Sequence, residues 1–320
     1  MENESSTNIF LLTVFGDMGN SKYMYFFLTL VWYILMILLN VILVLVIFLE
    51  RSLHEPMYIF LCNLSVNSLY GTAGFFPRLL ADLLSDTHTI SRAGCFTQIF
   101  VIYSYGIWEF TILTVMAYDR YVAICIPLQY NSIMTPRQMI LLLAIAWLYP
   151  VFCEVLVIIF SSRLPLCGNQ INRVYCSNWS VVRLSCIPTT FNNIVGLFLA
   201  VTVVFLPLGF ILFSYMSILI VCYKSSKEFR KKALQTCLPH LITLINYSIV
   251  SFSDIALSRS ESEDIVKVVS VILSLESLVI LPILNPLIYG MNLPEIQKRI
   301  INIRRKKIGM KTEGPDATRH

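Results

Sequence analysis

A chain of 320 residues that is 57% hydrophobic and only 13% charged is built for lipid, since a soluble domain carries about 25% charged residues. At roughly 20 residues per spanning helix, the length accommodates about seven spans with short loops and no further large domain. The mean hydropathy of +0.72 agrees, and the net charge of +5 makes no case for nucleic acid.

Residues 1–22 are polar and read as an extracellular tail, with Asn3-Glu4-Ser5 as a glycosylation sequon. The first apolar run, Tyr23 to Leu49, is too long for a secretory signal and reads as a retained span. Asn40 sits in its middle among Leu and Val, where a polar side chain needs a partner on another helix. Pro56-Met57-Tyr58 opens the second span, because Pro at a helix start loses no useful N–H. Asp82, Asp86 and His88 are expected in the exterior loop that follows.

The third span runs from Cys95 to about Ile126. Glu109 lies in its interior and requires either a proton or a polar neighbour. Asp119-Arg120 lies near its end. Each charge in hydrocarbon costs about 2.5–3.5 kcal/mol on insertion scales, so the two are expected at an interface, paired with each other. Arg120 is expected to reach a neighbouring helix as well, which makes the pair a candidate latch; the plain alternative is a membrane-edge salt bridge.

The fourth span covers roughly Met139 to Phe160, with Trp147 and Pro150 inside it. A loop from Ser161 to Pro188 follows, with Cys167, Cys176 and Cys186. Together with Cys95 these make four exterior cysteines, for which three pairings are open. Asn178-Trp179-Ser180 is a second sequon, close enough to Cys176 for glycosylation to be blocked. The fifth span, Phe191 to Tyr223, should bend at Pro207.

Lys224, Lys227, Arg230, Lys231 and Lys232 form a basic connector into the sixth span, which opens at Lys232. The seventh span, about Ile265 to Tyr289, ends in Asn285-Pro286-Leu287-Ile288-Tyr289. Pro286 frees a backbone carbonyl inside the helix, which a neighbouring side chain or water must satisfy. Leu293 to Ile303 alternates apolar and basic residues at helical spacing, as in an amphipathic helix lying on the inner leaflet. An outside N-terminus puts sixteen Lys and Arg residues inside and eight outside, in line with the positive-inside rule.

The histidines, His54, His88, His240 and His320, are scattered, and no group has metal-ligand spacing. There is no Walker loop, dinucleotide glycine pattern or nucleophile elbow. Glu109 and Glu276 lack the His or Asp companion that an intramembrane hydrolase requires. The matched discontinuous helices of a transporter are missing too. Neither an enzyme nor a cofactor is expected.

Met116-Ala117-Tyr118-Asp119-Arg120-Tyr121-Val122-Ala123-Ile124-Cys125 resembles the signature of odorant receptors, within the rhodopsin-like G-protein-coupled receptors. Pro56-Met57-Tyr58 with Leu64-Ser65, the run from Lys232 to Leu241, and Asn285-Pro286 with Tyr289 are similar to that family's other strings. Pro239 departs from its Ser, Leu39 from the Gly usual before Asn40, and Ser68 from its acid on the second span. The last change leaves Glu109 as the sole carboxylate of the family's sodium-type site. The resemblance implies a seven-helix, all-α membrane bundle over residues 23–290, followed by a cytoplasmic amphipathic helix and tail over 291–320. It implies disulfides Cys95–Cys176 and Cys167–Cys186, and a multi-pass plasma-membrane protein with its N-terminus outside.

The same resemblance implies that a small odorant binds among helices three, five, six and seven. A stimulatory G protein of the olfactory type is the expected partner, together with membrane lipid. Tyr103, Gly106, Ile107, Ser251, Ile255 and Arg259 are the expected ligand contacts; Gly106 leaves room for a small ligand. Ile102 stands where amine receptors place an Asp, which argues against a biogenic amine at that register. Arg259 matches an Arg that class I, fish-like odorant receptors use towards acids; the plain alternative is a loop Arg paired with Glu261, Glu263 or Asp264. Asp119, Arg120, Tyr121, Tyr215, His240, Asn285, Pro286 and Tyr289 are the expected activation residues, with the Asp-Arg pair facing the proline-broken seventh helix. A receptor-shaped chain without its own agonist is the other reading.

Overall fold

A computed structural model describes residues 8–15, 19–257, 272–273 and 276–292. Among these residues seven principal helices form the bundle: α1 (Ser21–Leu49), α2 (Pro56–Leu84), α3 (Arg92–Cys125), α4 (Pro136–Ser162), α5 (Thr190–Lys224), α6 (Lys227–Leu257) and α7 (Leu281–Asn292). By length and composition α1, α3, α4 and α5 are each able to cross a membrane; α6 contains the shorter apolar stretch His240–Ser253, and another, Leu278–Ile288, runs from the π-helical turn Glu276–Ile280 into α7. The first six expected spans overlap α1 to α6; of the seventh, Ile265 to Tyr289, residues 265–271 and 274–275 lie outside the described residues. Helix α6 begins earlier than expected, because the basic connector is itself helical.

Local chemistry sets the helix starts. Pro56 and Pro136 open α2 and α4. The Ser91 hydroxyl accepts from the Gly94 N–H at 3.1 Å and caps α3, as Thr135 caps α4 through Gln138. Helix α3 is the axis: most of its apolar stretch is buried, whereas α1, α4 and α5 turn most of theirs outward. Trp108 of α3 donates to the Trp147 carbonyl at 2.8 Å, and Trp147 donates to Asn63 of α2 at 3.0 Å, so three helices share one knot.

The prolines act as their chemistry requires. Pro207 has no N–H for the carbonyl four residues back, and the residues just before it, Val201–Phe205, open into a π-helical turn. Pro286 leaves the Pro282 carbonyl without its helical donor. Asn40 of α1, fully buried, supplies one at 2.8 Å. The polar residue in the first span and the proline in the seventh thus answer each other.

One end of the bundle is closed by a small sheet that the sequence did not suggest. Strand β1 (Ile9–Leu12) runs antiparallel to β2 (Thr89–Ser91) and parallel to β3 (Gln170–Ile171). Phe10 and Leu12 of β1 are buried against residues of α3 and of the loop after α4. Cys95 is bonded to Cys176, and Cys167 to Cys186. The loop is further held by the Cys176 N–H, which donates to Gln98 of α3 at 2.9 Å. Asp82 corrects an expectation: α2 continues through it, so it is buried in a helix and paired with Arg78 at 2.7 Å, not in a loop.

Candidate functional site

A cavity of about 180 Å³ lies between α3, α4, α5 and the loop after α4. Tyr103 and Ile107 of α3 form one wall. Glu154 of α4, Asn178 of the short helix Asn178–Val182, and Asn192 and Asn193 of α5 contribute the polar groups. Val157, Leu199 and Val203 are among its apolar lining residues. The π-helical turn that accommodates Pro207 brings Val203 into this wall.

The expected ligand contacts divide. Tyr103 and Ile107 line the cavity; Gly106 and Ser251 do not. The room expected beside Gly106 is taken by Tyr247 of α6, whose hydroxyl donates to the Gly106 carbonyl at 2.7 Å. A Cβ at Gly106 would lie 2.7 Å from that hydroxyl oxygen. Helix α6 therefore closes on α3 at this level, and this cavity lies on the α4 side of α3; the site expected among helices three, five, six and seven includes Ile255 and Arg259, which are not among the described side chains. Asn3, Arg259, Leu293 to Ile303, and the side chains of Ile255 and Tyr289 lie outside the described residues.

Below the cavity, α3 carries a buried polar relay. Glu109 accepts from Asn285 of α7 at 2.6 Å and from Asn67 of α2 at 3.1 Å. The expectation that Glu109 needs polar neighbours is met by two amides. Ser68 is buried nearby in sequence, but its hydroxyl makes no hydrogen bond among the described residues. Both Glu109 oxygens accept from amides, which meets its need for polar partners without a cation.

One turn further along α3, the Leu113 carbonyl lies 2.9 Å from His240 Nε2 of α6. A carbonyl only accepts, so Nε2 carries the ring proton and Nδ1 accepts from the Tyr215 hydroxyl of α5. Three helices are tied through one fully buried imidazole. At the end of α3, Arg120 donates to Asp119, and Tyr130 of the following turn donates to Asp119 at 2.8 Å. Burial, and then the Asp119 charge, push the Tyr130 phenol above its ordinary value, which keeps it a donor. Tyr121 sets its ring 6.0 Å from that of Phe213 on α5.

The expected facing of Arg120 and the seventh helix involves Tyr289, whose side chain lies outside the described residues. Helix α7 meets α3 at Glu109, eleven residues before Arg120, about 16 Å along the axis at 1.5 Å per residue. Asp119 bridges Arg120 to Tyr130, the first residue of the short helix Tyr130–Ile133.

Sequence reasoning missed Glu154, Asn67, Tyr130 and Tyr247. Glu154 carried a signal: it is the only acid between Pro136 and Ser162, and an ionisable residue inside a span is a functional candidate on physical grounds alone. The others are ordinary polar residues until the packing shows what they touch.

A family model described as olfactory receptor matches residues 28–307. The chain is 36% identical over 301 residues to human olfactory receptor 10J1, covering 93% of each chain. It is 35% identical to human olfactory receptor 6N1, over 96% of this chain and 98% of that one. With mouse olfactory receptor 1M1 the identity is 32% over 94% and 97%. Signature, bundle and relatives agree: the chain belongs to the olfactory receptor family, multi-pass plasma-membrane receptors of the seven-helix, G-protein-coupled kind, and is no enzyme.

Proposed function

We propose that this receptor detects a small, water-soluble odorant in the cavity between α3, α4 and α5 and passes the occupancy to a stimulatory G protein of the Gs or Golf type at the Arg120 end. One observation carries the reading: a single helix touches every part. Helix α3 lines the cavity with Tyr103 and Ile107, bonds α2 and α7 through Glu109, holds α6 at the Leu113 carbonyl, and ends in the Asp119-Arg120 pair. Water solubility is supported by the polar atoms of Glu154, Asn178, Asn192 and Asn193 that line the cavity.

In this reading residues 1–22 are extracellular, the disulfide-bearing sheet faces outward, and residues 291–320 lie on the cytoplasmic leaflet in contact with lipid. The sixteen-to-eight distribution of Lys and Arg supports that orientation. The class I, fish-like subtype rests on Arg259 alone; the cavity itself is lined by a carboxyl, which favours a water-soluble odorant without requiring that subtype.

The odorant acts by binding the active arrangement more tightly than the resting one. A shift from 1:99 to 99:1 takes about 5.5 kcal/mol of differential affinity. The bonds at risk are the Tyr215–His240–Leu113 tie and the Asp119–Arg120–Tyr130 group. Their release lets the start of α6 move outward and opens Arg120, Tyr215 and Tyr289 to the G protein, with Tyr121, Asn285 and Pro286 as the hinge and its packing.

The test is cyclic AMP in cells making a stimulatory G protein, over a panel of water-soluble amines, alcohols and acids. Receptor and Arg120→Ala are compared at equal surface density. At least one compound should raise cyclic AMP in the receptor and none in Arg120→Ala. Cyclic AMP that rises with receptor density and ignores every compound would favour a receptor with no agonist of its own.

A further inference from the structure

We propose that the cavity selects a small protonated amine, anchored by Glu154. This rests on the reading of the cavity as the odorant site and names its ligand class.

Glu154 is 3% exposed, and its Oε1 makes no hydrogen bond among the described residues. A buried carboxyl oxygen without a protein donor is costly, and a ligand that donates to it removes that cost. Among the described residues no Lys, Arg or His lines the cavity, so none of them answers Glu154 there. An ammonium supplies the missing counter-charge.

The neighbouring groups have the complementary polarity. Asn178 and Asn193 also line the cavity, and their Oδ1 atoms make no hydrogen bond among the described residues. With Glu154 Oε1 they make three acceptors, against one donor of the same kind, Asn192 Nδ2. A primary ammonium carries three N–H donors and no acceptor. Tyr103 and Trp179 add aromatic rings to the lining, surfaces that attract cations. A carboxylate ligand would bring a second acceptor to Glu154 Oε1 and no donor, so acids should bind less tightly than amines.

Size completes the description. A cavity of about 180 Å³ is smaller than the roughly 300 Å³ at which drug-sized pockets begin. It is slightly larger than the roughly 150 Å³ apolar cavity that takes up benzene. One ring or a short branched chain fits against Ile107, Val157, Leu199 and Val203, with the amine directed to Glu154. The register argument at Ile102 removes an acid on the third helix; α4 provides one from another side.

The probes are cyclohexylamine, cyclohexanol and cyclohexanecarboxylic acid, matched in ring and differing in head group. Two readouts are taken: cyclic AMP in cells, and the melting temperature of purified receptor. Cyclohexylamine should outrank the other two at least tenfold in half-maximal concentration. Glu154→Gln, nearly the same shape, should weaken the amine at least tenfold at unchanged surface density. A melting shift with the amine that Glu154→Gln abolishes, without any cyclic AMP, would support the amine site and overturn the stimulatory coupling. Cyclohexanol or the acid matching the amine, or an amine response unchanged in Glu154→Gln, would overturn the amine site while leaving odorant detection standing. Absence of both readouts with cyclohexylamine would also overturn it. The ranking on unmodified receptor decides the matter if Glu154→Gln fails to reach the surface.

Discussion

Asn40→Leu isolates one bond of the bundle. Asn40 is fully buried and donates to the Pro282 carbonyl at 2.8 Å and to the Met36 carbonyl of its own helix at 2.9 Å. The Pro282 carbonyl has no helical partner, because residue 286 is proline. Leu has the same branched skeleton with bulkier ends and no donor, so the substitution orphans a buried carbonyl, and any packing strain it adds is common to both backgrounds of the cycle below. Hydrogen bonds between membrane helices average about 0.6 kcal/mol, and orphaning a buried acceptor costs about 1–3 kcal/mol. The expected loss is therefore about 1–3 kcal/mol, or about 2–6 °C in the melting temperature of purified receptor for a chain of this size. Pro286→Ala restores an N–H able to close the helix onto Pro282. In that background Asn40→Leu should cost at least about 1 kcal/mol less, a coupling a double-mutant cycle reads directly. Equal losses in both backgrounds would refute the claim that Asn40 serves the proline break.

Other consequences are independent of that bond. Tyr130→Phe removes a donor from the Asp119 carboxylate, a bond to a charged group worth about 1.5–3 kcal/mol; basal cyclic AMP at matched surface density should rise about tenfold, and an unchanged basal level would count against a latch there. Replacing both Cys167 and Cys186 with Ser opens a loop with a sequence separation of 19 residues; the melting temperature should fall by several degrees, corresponding to about 3 kcal/mol, and a loss below about 0.5 kcal/mol would contradict the loop's being held by that bridge. Gly106→Ala places a Cβ 2.7 Å from the Tyr247 hydroxyl oxygen; it should destabilise by about 1–3 kcal/mol and do so less in a Tyr247→Phe background, where that oxygen is gone.

How much was legible depended on how local the physics was. Pro286 announces a freed carbonyl wherever it stands in a helix, and Asn40 among aliphatic residues announces a donor in need; their partnership required only that α1 and α7 be neighbours. Glu109 announced a need for polar company, but that Asn67 and Asn285 provide it depends on two helix rotations. Strands of two to four residues, as in β1 and β3, are too short to show an alternating pattern, so the sheet was invisible. Asp82 reads as a loop residue by its charge, yet the i,i+4 pair with Arg78 carries the helix through it. Gly106 reads as open space because sequence shows what a residue lacks and not what the opposite helix inserts.

The central claim is that occupancy of the cavity is felt at the opposite end of α3. Spin labels on cysteines introduced at Arg137 at the start of α4 and Lys231 near the start of α6, both exposed, report that end directly. With the compound that stabilises purified receptor in the panel, the distance between the labels should lengthen. A compound that raises the melting temperature and leaves that distance unchanged would contradict the account.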